Sequence, residues 1–337
     1  MDKIIRIGLD TSKHVFQLHG VDERERPALR RKLRRGEVER FFAALPPTRV
    51  GIEACGASHH WARVLMRLGH EVRLLPPQYV KPYVKRGKND AADAEAICEA
   101  MSRPSMRFVA VRTAENQAEL MLHGARDLLI KQRTMLANAI RGHAAELGVT
   151  GAKGVGRIAA LLERIAGDAT LPELAREICA RLGAQLEAVE RQVQMLEARL
   201  KAWHRTNERS QRLAEIPGIG PIGATALAMK VPDPRLFRSA RHFAAWLGLT
   251  PKDHSTAGRQ RLGVITRAGD ETLRRLLVSG AMAVIQRAHP HRSSPWLLAL
   301  LARKPKKLAA VALANKMARI AWALMARNQT YRSAAAA

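Results

Sequence analysis

Two short apolar runs each close on a carboxylate: IIRIGLD (residues 4–10) on Asp10, and RVGIE (49–53) on Glu53. Their β-branched content and length read as buried strands. A charge at the end of a buried strand costs free energy unless it is paired or bound to a cation. A third stretch, GKNDAADAEAICEA (87–100), supplies Asp90 and Asp93 at the opening of a helix. Residues three apart share a helix face, so both carboxylates can point at one place. Taken alone, Asp-Ala-Ala-Asp is also an ordinary helix start, with acids favoured by the N-terminal dipole. The two strand-end acids decide for a metal site. Four carboxylates form an oxygen donor set of the kind Mg²⁺ takes. Two such ions roughly 3.5–4 Å apart can hold the attacking and leaving oxygens of a phosphodiester.

Charge narrows the partners. Lys and Arg number 57 against 30 Asp and Glu, a formal net charge of +27, which attracts a polyanion. Aromatic residues are only 4% of the chain, too few for a base-stacking platform. No run approaches the ~18 apolar residues of a membrane span, and MDKIIRIGLD has no signal-peptide core. The three cysteines, Cys55, Cys98 and Cys179, lack metal-ligand spacing and suit a reducing compartment. The expectation is a cytoplasmic, nucleoid-associated protein with nucleic-acid partners and no membrane partner.

The element order predicts a mixed α/β sheet followed by helices. Strands are expected over 3–10, 13–20, 28–35, 49–54 and 71–76, with helices over 37–45 and 58–69. A basic, proline-containing loop leads into the Asp90 helix. Long helices follow over 113–148 and 171–206. In the first, Leu129, Leu136, Ile140, His143 and Leu147 mark the apolar face. In the second, Leu182, Leu186, Val189, Val193, Leu196, Leu200 and Trp203 recur at three and four, a coiled-coil seam. That seam is expected to join protomers, an internal helical hairpin being the alternative. IPGIGP (216–221) reads as a helix-hairpin-helix turn, in which Gly218 and Gly220 free backbone N–H groups to meet a phosphate. Helices are expected over 235–249, 271–288 and 305–327, with a loop over 250–270. Three regions result: 1–112, 113–207 and 208–337. His59 and His60 read as a partly exposed helical pair rather than metal ligands.

GLDTSK, GIEACG, KPYVKRGKNDAADAEAICEA, IPGIGP and HSTAGRQRLGVITRAGDETLRRLL resemble, in order and over nearly the whole chain, DEDD-type insertion-sequence transposases (family one-ten, eleven-eleven subgroup). The resemblance implies a RuvC-like, ribonuclease-H-type domain over 1–112, a long-helix dimerisation region and a C-terminal transposase domain. It implies catalytic, metal-binding acids at Asp10, Glu53, Asp90 and Asp93, holding two Mg²⁺ with Mn²⁺ as a substitute. A nucleophilic serine falls at Ser255, with Thr256 the neighbouring hydroxyl. The family often carries Ser-Ser-Gly-Gly where this chain has Ser255-Thr256-Ala257-Gly258. It further implies an element-encoded guide (bridge) RNA that bridges donor and target DNA. Cutting four strands needs several active sites, so a homodimer that becomes a tetramer on DNA is expected. Phosphate contacts are expected from Lys13, Lys85, Arg86, Lys88, Gly218, Gly220, Lys252, Arg259 and Arg261, and from the Arg-rich stretch 24–35. Two other readings remain: a RuvC-type junction nuclease using water as nucleophile, and a non-catalytic nucleic-acid-binding protein.

Overall fold

In a computed structural model, residues 3–85, 90–289 and 293–332 are described. The chain forms two compact units, Met1–Gln117 and Ala118–Ala337. The long helices and the C-terminal helices, read apart in the sequence, fall within the second.

The first unit is built on a five-stranded sheet: β1 (Arg6–Thr11), β2 (Val15–Val21), β3 (Pro27–Arg34), β4 (Arg49–Glu53) and β5 (Glu71–Leu75). The order is β3-β2-β1-β4-β5. The first three strands are antiparallel neighbours, while β4 and β5 run parallel to β1. Helices α1 (Val38–Ala43) and α2 (Ser58–Arg67) cover one face. There Ile7, Leu9, Val50 and Ile52 meet Phe42, Trp61 and Leu65 in one apolar cluster. The short α3 (Pro77–Val80) leads toward α4 (Asp90–Ala100), whose Ile97, Ala100 and Met101 pack with Leu75 and Val80 in a second cluster.

The approach of α4 is set by two glycines paired across β1 and β4, Gly8 and Gly51. A Cβ on Gly8 would overlap the Ala94 carbonyl and stand 2.9 Å from Cys98 Cβ. One on Gly51 would stand 2.8 Å from Met101 Sδ. The far end of α4 is tied down by the buried Arg6, whose Nε donates to the Cys98 carbonyl (3.0 Å) and whose Nη1 donates to Glu25 (2.7 Å).

In the second unit, α5 (Ala114–Glu146), α6 (Ile158–Gly167) and α7 (Glu173–Thr206) enclose Ile140, Ile158, Leu161, Cys179 and Leu186. The α7 seam corrects the sequence expectation. Leu186, Val189, Val193 and Leu200 are all buried within the single chain, so the seam belongs to an internal hairpin. Arg126 pairs with Glu197, and the Trp203 indole donates to Glu119 (2.7 Å), joining α5 to α7. His143, read as part of the α5 core stripe, is exposed.

The remaining helices, α8 (Glu208–Ala214), α9 (Pro221–Lys230), α10 (Ala240–Trp246), α11 (Glu271–Gln286), α12 (Pro295–Arg303) and α13 (Lys306–Arg327), share one core. A hairpin of β6 (Pro251–Asp253) and β7 (Leu262–Ile265) interrupts them; the sequence had read it as loop. Helix α13 is long and apolar enough to cross a membrane, contrary to the sequence reading, but half of it is buried in the unit. Its Ala310, Ala314, Met317 and Ala321 are core residues.

Gly8→Ala forces a methyl into the α4 backbone and is expected to lower stability by about 3 kcal/mol in denaturant unfolding. Gly56→Ala, where an added Cβ meets nothing within 4 Å, is expected to change it little.

Candidate active site

Alternate residues of a strand share a face. Asp10 follows Gly8 by two, and Glu53 follows Gly51 by two, so both acids stand on the face that α4 covers, just beyond the glycine contact. Helix α4 begins there, with Asp90 and Asp93 in its first turn. The four charges feel one another. Asp10 is pushed up to about 6, first by burial and then by Asp93, Asp90 and Glu53. Burial, then Asp93, raises Glu53 as well. Among the described residues, no three Asp, Glu, His or Cys side chains stand close enough together to hold an ion as placed. The acids are thus near enough to repel but not closed into a cage. Their chemistry fits a hard divalent cation: oxygen donors only, on a half-buried site, with a mutual repulsion that a cation would offset.

Two neighbours escaped the sequence reading. Thr11 Oγ1 and Cys55 Sγ are 3.5 Å apart, linking the segments that follow Asp10 and Glu53. Glu95, on the same helix as the acid pair, binds Lys85, so this lysine already has a carboxylate partner. Only adjacency to the acids could have signalled either. Lys13 is exposed; Arg86 and Lys88 lie outside the described residues. His59 is not a ligand: its Nδ1 accepts the Arg112 amide proton (3.2 Å). Burial, then Arg112 and Arg63, lowers it to about 4. The Arg-rich stretch forms edge strand β3, with Arg30, Arg31, Lys32 and Arg34 exposed; such cations also protect a sheet edge from further pairing.

Ser255 lies in the second unit, near the tip of the β6–β7 hairpin, where every residue from Pro251 to Val264 is exposed, Lys252, Arg259 and Arg261 included. Its amide donates to Asp253 Oδ1 (2.9 Å), and its Oγ accepts the Arg261 amide proton (3.0 Å). Hydrogen bonds from the Ser255 side chain and backbone hold the Asp253 carboxyl below its ordinary range. The tip turns through Ala257 (φ 47°) and Gly258 (φ 77°), as a two-residue hairpin turn requires. Ala257 therefore occupies a left-handed position at a local cost of about 1–2 kcal/mol.

The IPGIGP turn joins α8 to α9. Gly218 (φ 91°) is needed for packing, since a Cβ there would stand 2.9 Å from the Gly280 carbonyl of α11. Gly220, at the start of α9, is exposed with open space beside it.

The Asp10 shift has a direct consequence. A carboxyl whose folded pKa is raised holds its proton more tightly folded than unfolded, so its effect on stability worsens as pH rises through about 6. In EDTA at about pH 8, Asp10→Asn is expected to melt above the wild type, the gap closing toward about pH 4. Millimolar Mg²⁺ should raise the wild-type midpoint and leave that of the variant nearly unmoved. Differential scanning calorimetry across pH, with and without Mg²⁺, checks both.

A family model described as a transposase of the DEDD IS110 type matches residues 7–147. A second, described as transposase IS116/IS110/IS902 family, matches residues 210–296. The chain is 61% identical to a putative transposase (y4pF/y4sB) of Sinorhizobium fredii, over 99% of this chain and 87% of that one. It is 50% identical to a probable family 20 transposase of Pseudomonas aeruginosa, over 97% and 98%. It is 40% identical to the transposase for insertion sequence element IS1111A of Coxiella burnetii, over 99% and 93%. With both family models matched in order and relatives this similar over nearly the whole chain, the chain belongs to the IS110/IS116 family of insertion-sequence transposases.

Proposed function

We propose that this transposase cuts and rejoins donor and target DNA through Ser255, with Asp10, Glu53, Asp90 and Asp93 holding divalent metal, Mg²⁺ in the cell. The observation that carries this reading is the mutual repulsion of the four acids around a half-buried Asp10. A bound dication would neutralise that repulsion and polarise the scissile phosphate. The protein's own part is nucleophile and phosphate binding. The Ser255 hydroxyl attacks phosphorus and gives up its proton, a phosphoserine ester forms as the phosphorus–oxygen bond to the departing strand breaks, and the departing oxygen takes up a proton to leave as a free hydroxyl. The hydroxyl of the strand to be joined then attacks the same phosphorus, releasing the serine. The Arg261 amide proton directed at Ser255 Oγ fixes the hydroxyl, and the exposed Lys252, Arg259 and Arg261 suit a phosphate.

The +27 charge supplies affinity for backbone phosphates without sequence choice. An element-encoded guide RNA would supply that choice by base pairing, as in other RNA-guided systems. Cutting four strands needs several active sites, so a homodimer pairing into a tetramer on DNA is part of the proposal. Lys13, Lys85, Arg86, Lys88 and the exposed Gly220 are assigned to phosphate contacts.

Ser255→Ala should bind DNA and RNA as the wild type does and lose adduct and recombinant product by on the order of 10⁴-fold or more. Asp10→Asn should lose strand cleavage with binding retained. A denaturing gel for covalent protein–DNA adduct reads both. Metal-dependent cutting that survives Ser255→Ala would assign the attack to water instead.

A further inference from the structure

One cavity in the second unit takes no part in the site described above. It opens beside the IPGIGP turn and has a volume of about 1070 Å³, at the large end of the about 300–1,000 Å³ usual for ligand pockets. Its floor is apolar: Ile216 and Pro217 from the turn, Val284 from α11, Leu297 from α12, and Met317 and Leu324 from α13. One wall is the chain that leaves α13. Asn328 (φ 54°) ends that helix in the left-handed conformation, a usual helix stop. The Gln329 amide then donates to the Leu324 carbonyl (3.2 Å), and the Tyr331 amide to Glu215 Oε2 (2.9 Å). These bonds hold Asn328, Gln329, Thr330 and Tyr331 along the cavity.

The lining selects the occupant. Among the described residues that form it, Lys316 and Arg332 are the charged ones, both exposed, and no Asp or Glu is present. Lys316 Nζ stands 4.4 Å from the Trp296 ring centroid, a contact that positions the lysine and leaves its charge unneutralised. The occupant is therefore anionic as well as apolar. A fatty chain, or the apolar face of a peptide, would use the floor and the cations but not the wall, where amide and hydroxyl groups set donors beside acceptors. A nucleotide uses all three. Its base has flat apolar faces and a polar edge, and its phosphate suits the cations. Tyr331 is the one aromatic ring among the described lining residues, so this is no platform for a running strand, which needs successive rings. It suits a single base turned out of its helix. The IPGIGP turn supplies both Pro217 of the floor and Gly220, assigned above to a backbone phosphate, so strand and cavity meet on one turn.

We propose that this cavity receives one unpaired base of a DNA strand, with Lys316 and Arg332 on its phosphates. The proposal rests on the reading that the chain cuts and rejoins DNA: strands being exchanged leave their old partners before they pair anew, and this pocket would hold a freed base. DNA rather than RNA is the occupant because the cavity belongs to the unit that carries Ser255. Fluorescence anisotropy on the full chain, in EDTA so that strands stay intact, compares a fully paired DNA duplex with one carrying a single unpaired 5-iododeoxyuridine. The second should bind about tenfold more tightly, as one base-stacking contact is worth. Lys316→Gln combined with Tyr331→Ala should erase that preference and leave the paired duplex bound nearly as before. Ultraviolet irradiation of the wild type with the iodinated duplex should join the base to Tyr331 or Met317, read by mass spectrometry. This arm needs no variant, so it holds where the double variant does not fold. Equal affinity for the two duplexes, a preference that survives in the folded double variant, or a cross-link outside the cavity lining overturns the pocket; a Ser255 adduct formed all the same leaves the cutting reaction standing. Failure to bind either duplex overturns both. An equal preference for an RNA duplex with the same unpaired base overturns the assignment to DNA.

Discussion

Everything in the first unit depends on how closely α4 lies on the sheet. Side chains ordinarily separate a helix from the strands beneath it. Here Gly8 and Gly51, paired across β1 and β4, remove that spacer, and the backbone of α4 nearly touches β1. The contact does more than fill space. It fixes the level at which α4 begins relative to the ends of the two strands, and the acids lie on either side of that level. Arg6 secures the other end of the arrangement through the Cys98 carbonyl and Glu25. Carboxylates from three elements distant in sequence are thereby held near one another although their charges oppose it.

That opposition is what makes the site chemically distinct. Elsewhere the acids are neutralised by neighbours: Asp270 by Lys230 and Glu197 by Arg126. Around Asp10 the neighbours are other acids, and proton affinity rises instead of falling. Like-charge clusters of this kind, with raised proton affinity, are where functional sites commonly lie. The second unit solves a different problem. Its long helices are stapled by partly buried polar pairs, such as Trp203 with Glu119, and its β6–β7 hairpin is kept outside the core.

Much of this was legible in the sequence, for physical reasons that can be named. Asp10 and Glu53 were found because each ends an apolar run, a pattern unfavourable without compensation. The strands followed from apolar or alternating runs with turn residues between them, and the basic β3 from its place after a polar turn. The α7 seam was seen correctly as apolar periodicity, but periodicity does not say which partner covers it; the same chain does, with Leu186 in the cluster shared by α5 and α6. The β6–β7 hairpin was missed because both its strands are exposed and show no alternation to read. Gly218 was read for its backbone freedom, whereas the residue it must admit, Gly280, lies on a helix that local sequence does not connect to it. The Arg6–Glu25–Cys98 tie was invisible for the same reason.

The exposure of the Ser255 hairpin has a bearing on how this protein can vary. From Pro251 to Val264 no residue is buried, so substitutions there remove little from the folded state. Around Gly8 the opposite holds, and a single methyl disturbs the whole unit. Tolerance to change is therefore divided between two regimes. In a library of single substitutions sorted first for soluble expression and then for activity, losses near Gly8 would appear at the first sort. Losses in the hairpin would appear only at the second. Under the role proposed for Ser255, the hairpin is a segment whose permitted residues report on chemistry nearly free of folding.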